Sequence, residues 1–168
     1  VFNRRHLNAG LLDEEIDLAR VNGESLTVII CDIDGFKAVN DTHGHQAGDT
    51  LLRDFAHLLL SMTRDGIDTV VRYGGEEFLL ILRDTNLPDG LALAERIRTK
   101  LTEAISMHGD VRINATASFG VVSTCLLPHL PTIASHALIA RADELMYAAK
   151  RSGRNRVHVA EWNVTSSI

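Results

Sequence analysis

Apolar residues recur along this chain with two rhythms, and the rhythm changes at polar or glycine-bearing breaks. Leu11, Leu12, Ile16 and Ala19 return every three to four residues and predict a helix over 7–20, stopped by Asn22-Gly23. The run 26–31 is short, apolar and rich in β-branched residues, as expected of a buried strand, and it ends in Asp32-Ile33-Asp34-Gly35. Ala47, Leu51, Phe55, Leu58 and Met62 predict a second helix, entered from the polar segment 40–48. Two strands, 67–73 and 77–82, flank Gly74-Gly75, a hairpin signal because glycine takes positive φ without steric cost. Pro88 opens a third helix with Ala94, Ile97, Leu101 and Ile105 inward. Ile113, Ala115, Ala117 and Phe119 share one face of a strand over 111–122. Pro128 and Pro131 break the chain, a fourth helix runs to Lys150 with Gly153 as its stop, and 156–159 is a short last strand. The order α-β-α-β-β-α-β-α-β predicts an α/β sandwich with a mixed, partly antiparallel sheet.

Composition narrows the class of partner. The 168 residues suit one domain, and 45% hydrophobic with 23% charged residues is a globular balance. The formal charge is −5, and no basic stripe appears, so a sequence-independent nucleic-acid binder is excluded. No apolar run approaches the ~20 residues that span a bilayer, so no membrane contact is expected from this segment. Cys31 and Cys125 stand far apart without CxxC spacing, which fits a reducing, cytoplasmic setting and leaves a pairing between them open. Among eight histidines only His43 and His45 are close, too few donors for a zinc signal. Val1 stands where an initiator Met is expected, so the chain reads as part of a longer protein.

The chemistry-bearing residues gather at element ends. Asp32 and Asp34, two apart, fall on one sheet face where the strand runs out to solvent, and Gly35 then permits close backbone approach. Glu76-Glu77 follow the Gly74-Gly75 turn, and three or four carboxylates meeting there would repel unless a hard cation such as Mg²⁺ neutralises them. Few carboxylates with phosphates completing the shell is the arrangement of nucleotidyl transfer. Taken singly, these acids read as turn and hairpin-tip residues; taken together with the basic residues that follow, that reading loses. Lys150 and Arg154, four apart at a helix end, can grip phosphate together or merely complement the helix dipole. Asn40 and Asp49 match a guanine edge, the acid accepting from N1–H and the 2-amino group, or alternatively cap helices.

Arg72-Tyr73-Gly74-Gly75-Glu76-Glu77-Phe78 resembles the signature of GGDEF domains in its GGEEF form. Asp32-Ile33-Asp34-Gly35-Phe36-Lys37, Asn40-Asp41, Gly44-His45 and Gly48-Asp49 resemble further family motifs. So do Arg141-Ala142-Asp143, Tyr147, Ala149-Lys150 and Gly153-Arg154-Asn155, and Asn3-Arg4-Arg5 resembles the close of the family's opening segment. The likeness runs from Asn3 to about His158, motifs in order. It implies a nucleotidyl-cyclase-like palm with a mixed five-stranded sheet wrapped by helices, spanning 1–160 as the catalytic domain with 161–168 as a tail. It implies a diguanylate cyclase that condenses two GTP into cyclic di-GMP and two pyrophosphates, using Mg²⁺ with Mn²⁺ as substitute. By position, Asp32, Glu76 and the Ile33 carbonyl bind the metal, and Glu76 also accepts the proton of the attacking 3′-hydroxyl. Lys37 steadies the transferring phosphate and Glu77 belongs to the signature. Gly35, Phe36, Asn40, His45, Asp49, Lys150 and Arg154 line the substrate.

Each domain would hold one GTP, so the resemblance implies an antiparallel homodimer, with an N-terminal sensor elsewhere in the full protein to set dimerisation. One motif departs. The family's inhibitory RxxD site keeps Asp68, but Asp65 stands where its arginine belongs and Arg64 is one residue off, so product feedback is expected to be weak or absent. The competing reading is a catalytically silent module that binds GTP or cyclic dinucleotide and signals through contacts. The intact signature, Asp32 and Lys37 count against it, and Asp49 counts against ATP as substrate.

Overall fold

The computed structural model describes residues 1–3, 5, 7–126 and 132–162. A two-residue strand β1 (Phe2–Asn3) is followed by a π-helical turn (Leu7–Leu11), kinked at Gly10, and helix α1 (Leu12–Asn22). Strand β2 (Ser25–Ile33) leads to α2 (Phe36–His43) and α3 (His45–Met62). The hairpin β3 (Thr69–Arg72) and β4 (Glu77–Arg83) comes next, then α4 (Leu87–Glu103) and the ribbon β5 (Ser106–His108) and β6 (Val111–Ile113). Strand β7 (Ala117–Cys125), helix α5 (Ser135–Arg151) and strand β8 (Val157–Glu161) complete the chain.

The sheet runs β1-β3-β4-β2-β7-β8, mixed as expected, with parallel pairing at both outer edges and antiparallel pairing inside. Five strands match the expected palm. The short β1 makes a sixth at the β3 edge, and β5–β6 form a separate two-stranded ribbon. Period two sorts the core into two layers. Ile29, Cys31 and Ile33 of β2 pack with Phe55, Phe78, Ile97 and Phe119 under α3 and α4. Leu26, Val28 and Ile30 pack on the opposite face with Ile16, Leu138 and Met146 of α1 and α5. Phe55 and Phe78 meet edge to face, centroids 5.4 Å apart.

Three local expectations change. The segment 40–48 is not a polar lead-in: α2 occupies 36–43, with Phe36 its one buried residue, and Gly44 (φ 86°) separates it from α3. The strand over 111–122 is two strands, since 114–116 leave the ladder, although Ile113, Ala115, Ala117 and Phe119 do face one core as the alternation predicts. The first two residues of the tail expected from 161 are part of the packed domain. Glu161 is in β8, and the Trp162 amide donates to Ser123 O at 2.7 Å while its ring packs on the α1/α5 layer. Cys31 is buried, Cys125 is exposed, and both are free thiols. The Pro128 and Pro131 break, Arg4 and residues 163–168 lie outside the described residues. Among the described residues no helix is long and apolar enough to cross a membrane.

Candidate active site

Register brings the acids together. In the antiparallel ladders Asp32 stands opposite Glu77 of β4 on one side and Ser118 of β7 on the other. The Ile33 amide reaches the Glu76 carbonyl at 3.4 Å, which sets the signature turn beside the end of β2. That turn is tightly held. The amides of Tyr73 and Gly74 both donate to Glu77 O, and Arg72 Nε and Nη2 close on the Gly75 carbonyl at 3.2 and 2.7 Å. A Cβ on Gly74 would strike the Glu77 carboxylate, the movable end of a side chain, so a substitution there would shift that carboxylate.

Asp32 is 4% exposed, yet it faces two other acids. Like charges directly across a ladder are unfavourable. Burial, opposed by the Lys150 ammonium and assisted by the charges of Glu76 and Glu77, pushes its carboxyl from 3.8 up to about 6. Lys150, in the last turn of α5, puts Nζ 2.8 Å from Asp32 Oδ1. Close approach of α5 to the sheet makes this possible: Gly120 of β7 lies under it, where a Cβ would collide with Ala142 O and Met146 N.

Two sequence expectations about this cluster are corrected. Asp32, Glu76 and Glu77 lie close enough to act on one another, but the fourth acid, Asp34, does not join them, and among the described residues no group of three or more His, Cys, Asp or Glu side chains is arranged to hold a metal ion. Asp34 shares the Asp32 face, but its oxygens are taken by Thr116 Oγ1, Ser118 Oγ and the Asn155 amide, at 2.7, 2.7 and 3.0 Å. Glu77 lines a cavity of about 540 Å³ with Tyr73, His136 and Asp143, between α1 and α5. Asp32, Glu76 and the Ile33 carbonyl remain at the rim. Their oxygen-only donor set and excess negative charge fit a hard divalent cation. The second correction concerns Arg154. Helical i,i+4 spacing does not relate it to Lys150, because α5 ends at Arg151 and Arg154 lies beyond it in a left-handed turn (φ 61°).

The remaining predicted residues fall around α2 and α3. Gly35 precedes α2 with φ 68°, a conformation that favours glycine. Lys37 is exposed on the first turn of α2 and His45 is exposed at the start of α3. Phe36 was expected against the substrate; its ring is in the α3/α4 core layer, 9% exposed, with Cζ beside Gly48 of α3. Asn40 lies inside α2 and Asp49 inside α3, and neither side chain caps a helix. The two helices close on each other at Gly48, where a Cβ would strike Asn40 Oδ1, a buried oxygen with no hydrogen-bond partner among the described residues. Asp49 lines a second cavity, about 560 Å³, with Asn3, Leu52, Arg53, Arg72 and Phe78.

At the position of the degenerate inhibitory motif, Asp65 is exposed and Asp68 is bound by Arg64. The guanidinium is bidentate on the carboxylate (Nε–Oδ2 3.0 Å, Nη2–Oδ1 2.7 Å) and also reaches Thr85 Oγ1 and the Arg83 carbonyl. Sequence reasoning missed Arg72 as the clasp of the signature turn and Thr116 and Ser118 as partners of Asp34. Ser118, polar between Ala117 and Phe119, was the visible signal.

A mixed sheet with an acid-bearing hairpin beside its central strand, flanked by a lysine at a helix terminus, defines a nucleotidyl-cyclase-like α/β domain. The chain belongs to the GGDEF family: the family described as "Diguanylate cyclase, GGDEF domain" matches residues 1–156. It is 45% identical over 159 residues to the response regulator PleD of Caulobacter vibrioides, covering 94% of this chain and 34% of that protein. It is 38% identical over 163 residues to diguanylate cyclase A of Treponema denticola, covering 95% and 43%. The chain thus spans between a third and a half of the length of these relatives. The structure of the active GGEEF domain of a diguanylate cyclase from Vibrio cholerae superposes with a TM-score of 0.82 at 32% identity, covering 96% of this chain and 99% of that one. Diguanylate cyclases of this family are in general dependent on divalent metal.

Proposed function

We propose that this domain is a diguanylate cyclase joining two GTP into cyclic di-GMP with release of two pyrophosphates, and that it works in the cytoplasm. The observation that carries the reading is the Lys150–Asp32 ion pair at the end of β2, beside the signature turn whose Glu76 carbonyl accepts from Ile33 and whose Glu76 charge acts on Asp32. Asp32, Glu76 and the Ile33 carbonyl would hold Mg²⁺ (or Mn²⁺), which when bound draws charge from the α-phosphate and makes the 3′-hydroxyl easier to deprotonate.

The protein's own groups do the rest. Glu76 takes the proton of the attacking 3′-hydroxyl. Lys37, Lys150 and Arg154 hold the triphosphate, and Lys37 steadies charge on the phosphate being transferred. Asn40 and Asp49 select guanine: the partnerless Asn40 oxygen and the Asp49 carboxylate are acceptors for donors that guanine has and adenine lacks. His45 stands at the start of α3 near that edge, Gly35 lets backbone approach the phosphates, and Glu77 supports the signature turn. One domain supplies half of a site, so two copies must meet about a two-fold axis, and an N-terminal sensor sets how often they do.

Incubation with GTP and Mg²⁺, with chromatography for cyclic di-GMP and Glu76→Gln as control, tests the reading. Product from the wild type and none from the control supports it. A wild type as silent as the control, even when fused to a dimerising coiled coil, removes it in favour of a binding module.

A further inference from the structure

The Asp34 carboxylate ties three elements together. It accepts from Thr116 and Ser118 at the start of β7 and from the backbone amide of Asn155 in the α5–β8 turn, while its own amide donates to Thr116 O at 2.8 Å. The turn it reaches has an unusual backbone. Gly153, Arg154 and Asn155 have φ of 122°, 61° and 45°, three positive values in a row with two on non-glycine residues. Such a run persists only where its surroundings hold it. The other holds are the Gly153 amide on Lys150 O (3.4 Å), the Arg154 amide on Ala149 O (3.1 Å), Arg98 Nη1 and Thr102 Oγ1 on Asn155 Oδ1 (3.1 and 3.4 Å) and Arg156 Nε on Arg154 O (3.0 Å). Of these contacts, the one from Asp34 is the only link from this turn to the strand that carries Asp32.

We propose that Asp34 is a positioning residue for triphosphate binding: through the Asn155 amide it keeps the 153–155 turn left-handed, which aims Arg154 at the rim occupied by Asp32, Glu76 and Lys150. Asp34 touches no reacting atom in this scheme. Together with the Lys150–Asp32 pair it holds the acid-bearing end of β2 to the basic end of α5, which backbone connectivity leaves free, since Asp34 and Asn155 are 121 positions apart. The inference rests on the proposed role of Arg154, but the hold on the turn does not.

Asp34→Asn keeps the shape and removes the charge, so the amide bond to Asn155 weakens. The expected result is a KM for GTP raised about 10-fold with kcat within about threefold, and no further rise in KM when Asp34→Asn is added to Arg154→Ala, because both act through one contact. Hydrogen exchange at the Asn155 amide, measured without nucleotide, should be faster in Asp34→Asn than in the wild type. An unchanged KM, or effects of the two substitutions that multiply, would overturn the inference, as would an Asn155 amide equally protected in both proteins. If GTP fails to bind the wild type by calorimetry, the proposed function falls while the exchange result still decides whether Asp34 holds the turn. Should Asp34→Asn fail to fold, Thr116→Val, which removes a donor from the same Oδ2 atom, must give the same changes to a smaller degree; its failure to do so is equally fatal.

Discussion

Lys150 Nζ donates to Asp32 Oδ1 across 2.8 Å, so the last turn of the helix after β7 is pinned to the central strand of the sheet by an ion pair that is buried on the acid's side. The pair does not fully compensate Asp32, which keeps Glu77 opposite it and Glu76 beside it. The site is built with surplus negative charge, and that surplus has measurable consequences.

Stability should depend on Asp32. Its carboxyl is raised from 3.8 to about 6 in the fold, so the native state holds the proton more tightly than the unfolded chain does. The contribution of the protonated group is fully present below about pH 4 and is lost as the pH rises through about 6. In EDTA at pH 7.5, Asp32→Asn should therefore be more stable than the wild type by about 1–2 kcal/mol, and the gain should vanish near pH 4. Urea titrations at the two pH values measure it. The same variant should make no cyclic di-GMP.

Product feedback should be missing. Arg64 is spent on Asp68, Thr85 and the Arg83 carbonyl, and Asp65 offers an anion where the motif needs a cation. Cyclic di-GMP at low micromolar concentration should leave the initial rate unchanged. Arg64→Ala should lower stability by about 1–2 kcal/mol, a buried carboxylate losing a half-exposed partner, without altering the response to product. Initial rates against added product and thermal melts check both parts.

Guanine discrimination should fail at Gly48. A methyl there would press on the Asn40 amide and come within 3.1 Å of Phe36 Cζ. The amide is a movable side-chain end, so Gly48→Ala should change stability by less than about 1 kcal/mol while raising KM for GTP about 10-fold or more. Gly120→Ala is the contrasting case. Its methyl would meet backbone of α5, which cannot give way locally, and should cost about 2–3 kcal/mol and loosen the Lys150–Asp32 pair. Thermal denaturation and steady-state kinetics on both variants separate the two kinds of glycine.

Turnover per molecule should fall on dilution, since a second half-site comes from a partner copy. Fusion to a parallel coiled coil should restore it at concentrations where the unfused domain is silent. Specific activity over a wide dilution series, read beside sedimentation, measures this.

Much of this molecule was legible from one chain read in order. Alternation along β7 and helical spacing in α3 and α4 expose most of the side chains that turn inward, because period 2 and period 3.6 are local consequences of backbone geometry, although Ile105, expected inward, lies past the end of α4 and is exposed. Gly74-Gly75 between apolar runs marked the hairpin, although neither glycine takes the positive φ that was its expected reason, and the acids after it marked the rim. Hydrogen-bond partners are not local. The chain alone could not say that 114–116 drop out of the ladder, that α2 forms on a single buried ring, or that Asp34 turns to Thr116, Ser118 and Asn155 while Asp32 keeps the rim. Nor could it show Arg154 leaving the helix that Lys150 ends. Those outcomes depend on which distant backbone lies within about 3 Å of a given oxygen, a condition set only when the sheet register and the close packing of α5 over Gly120 are in place.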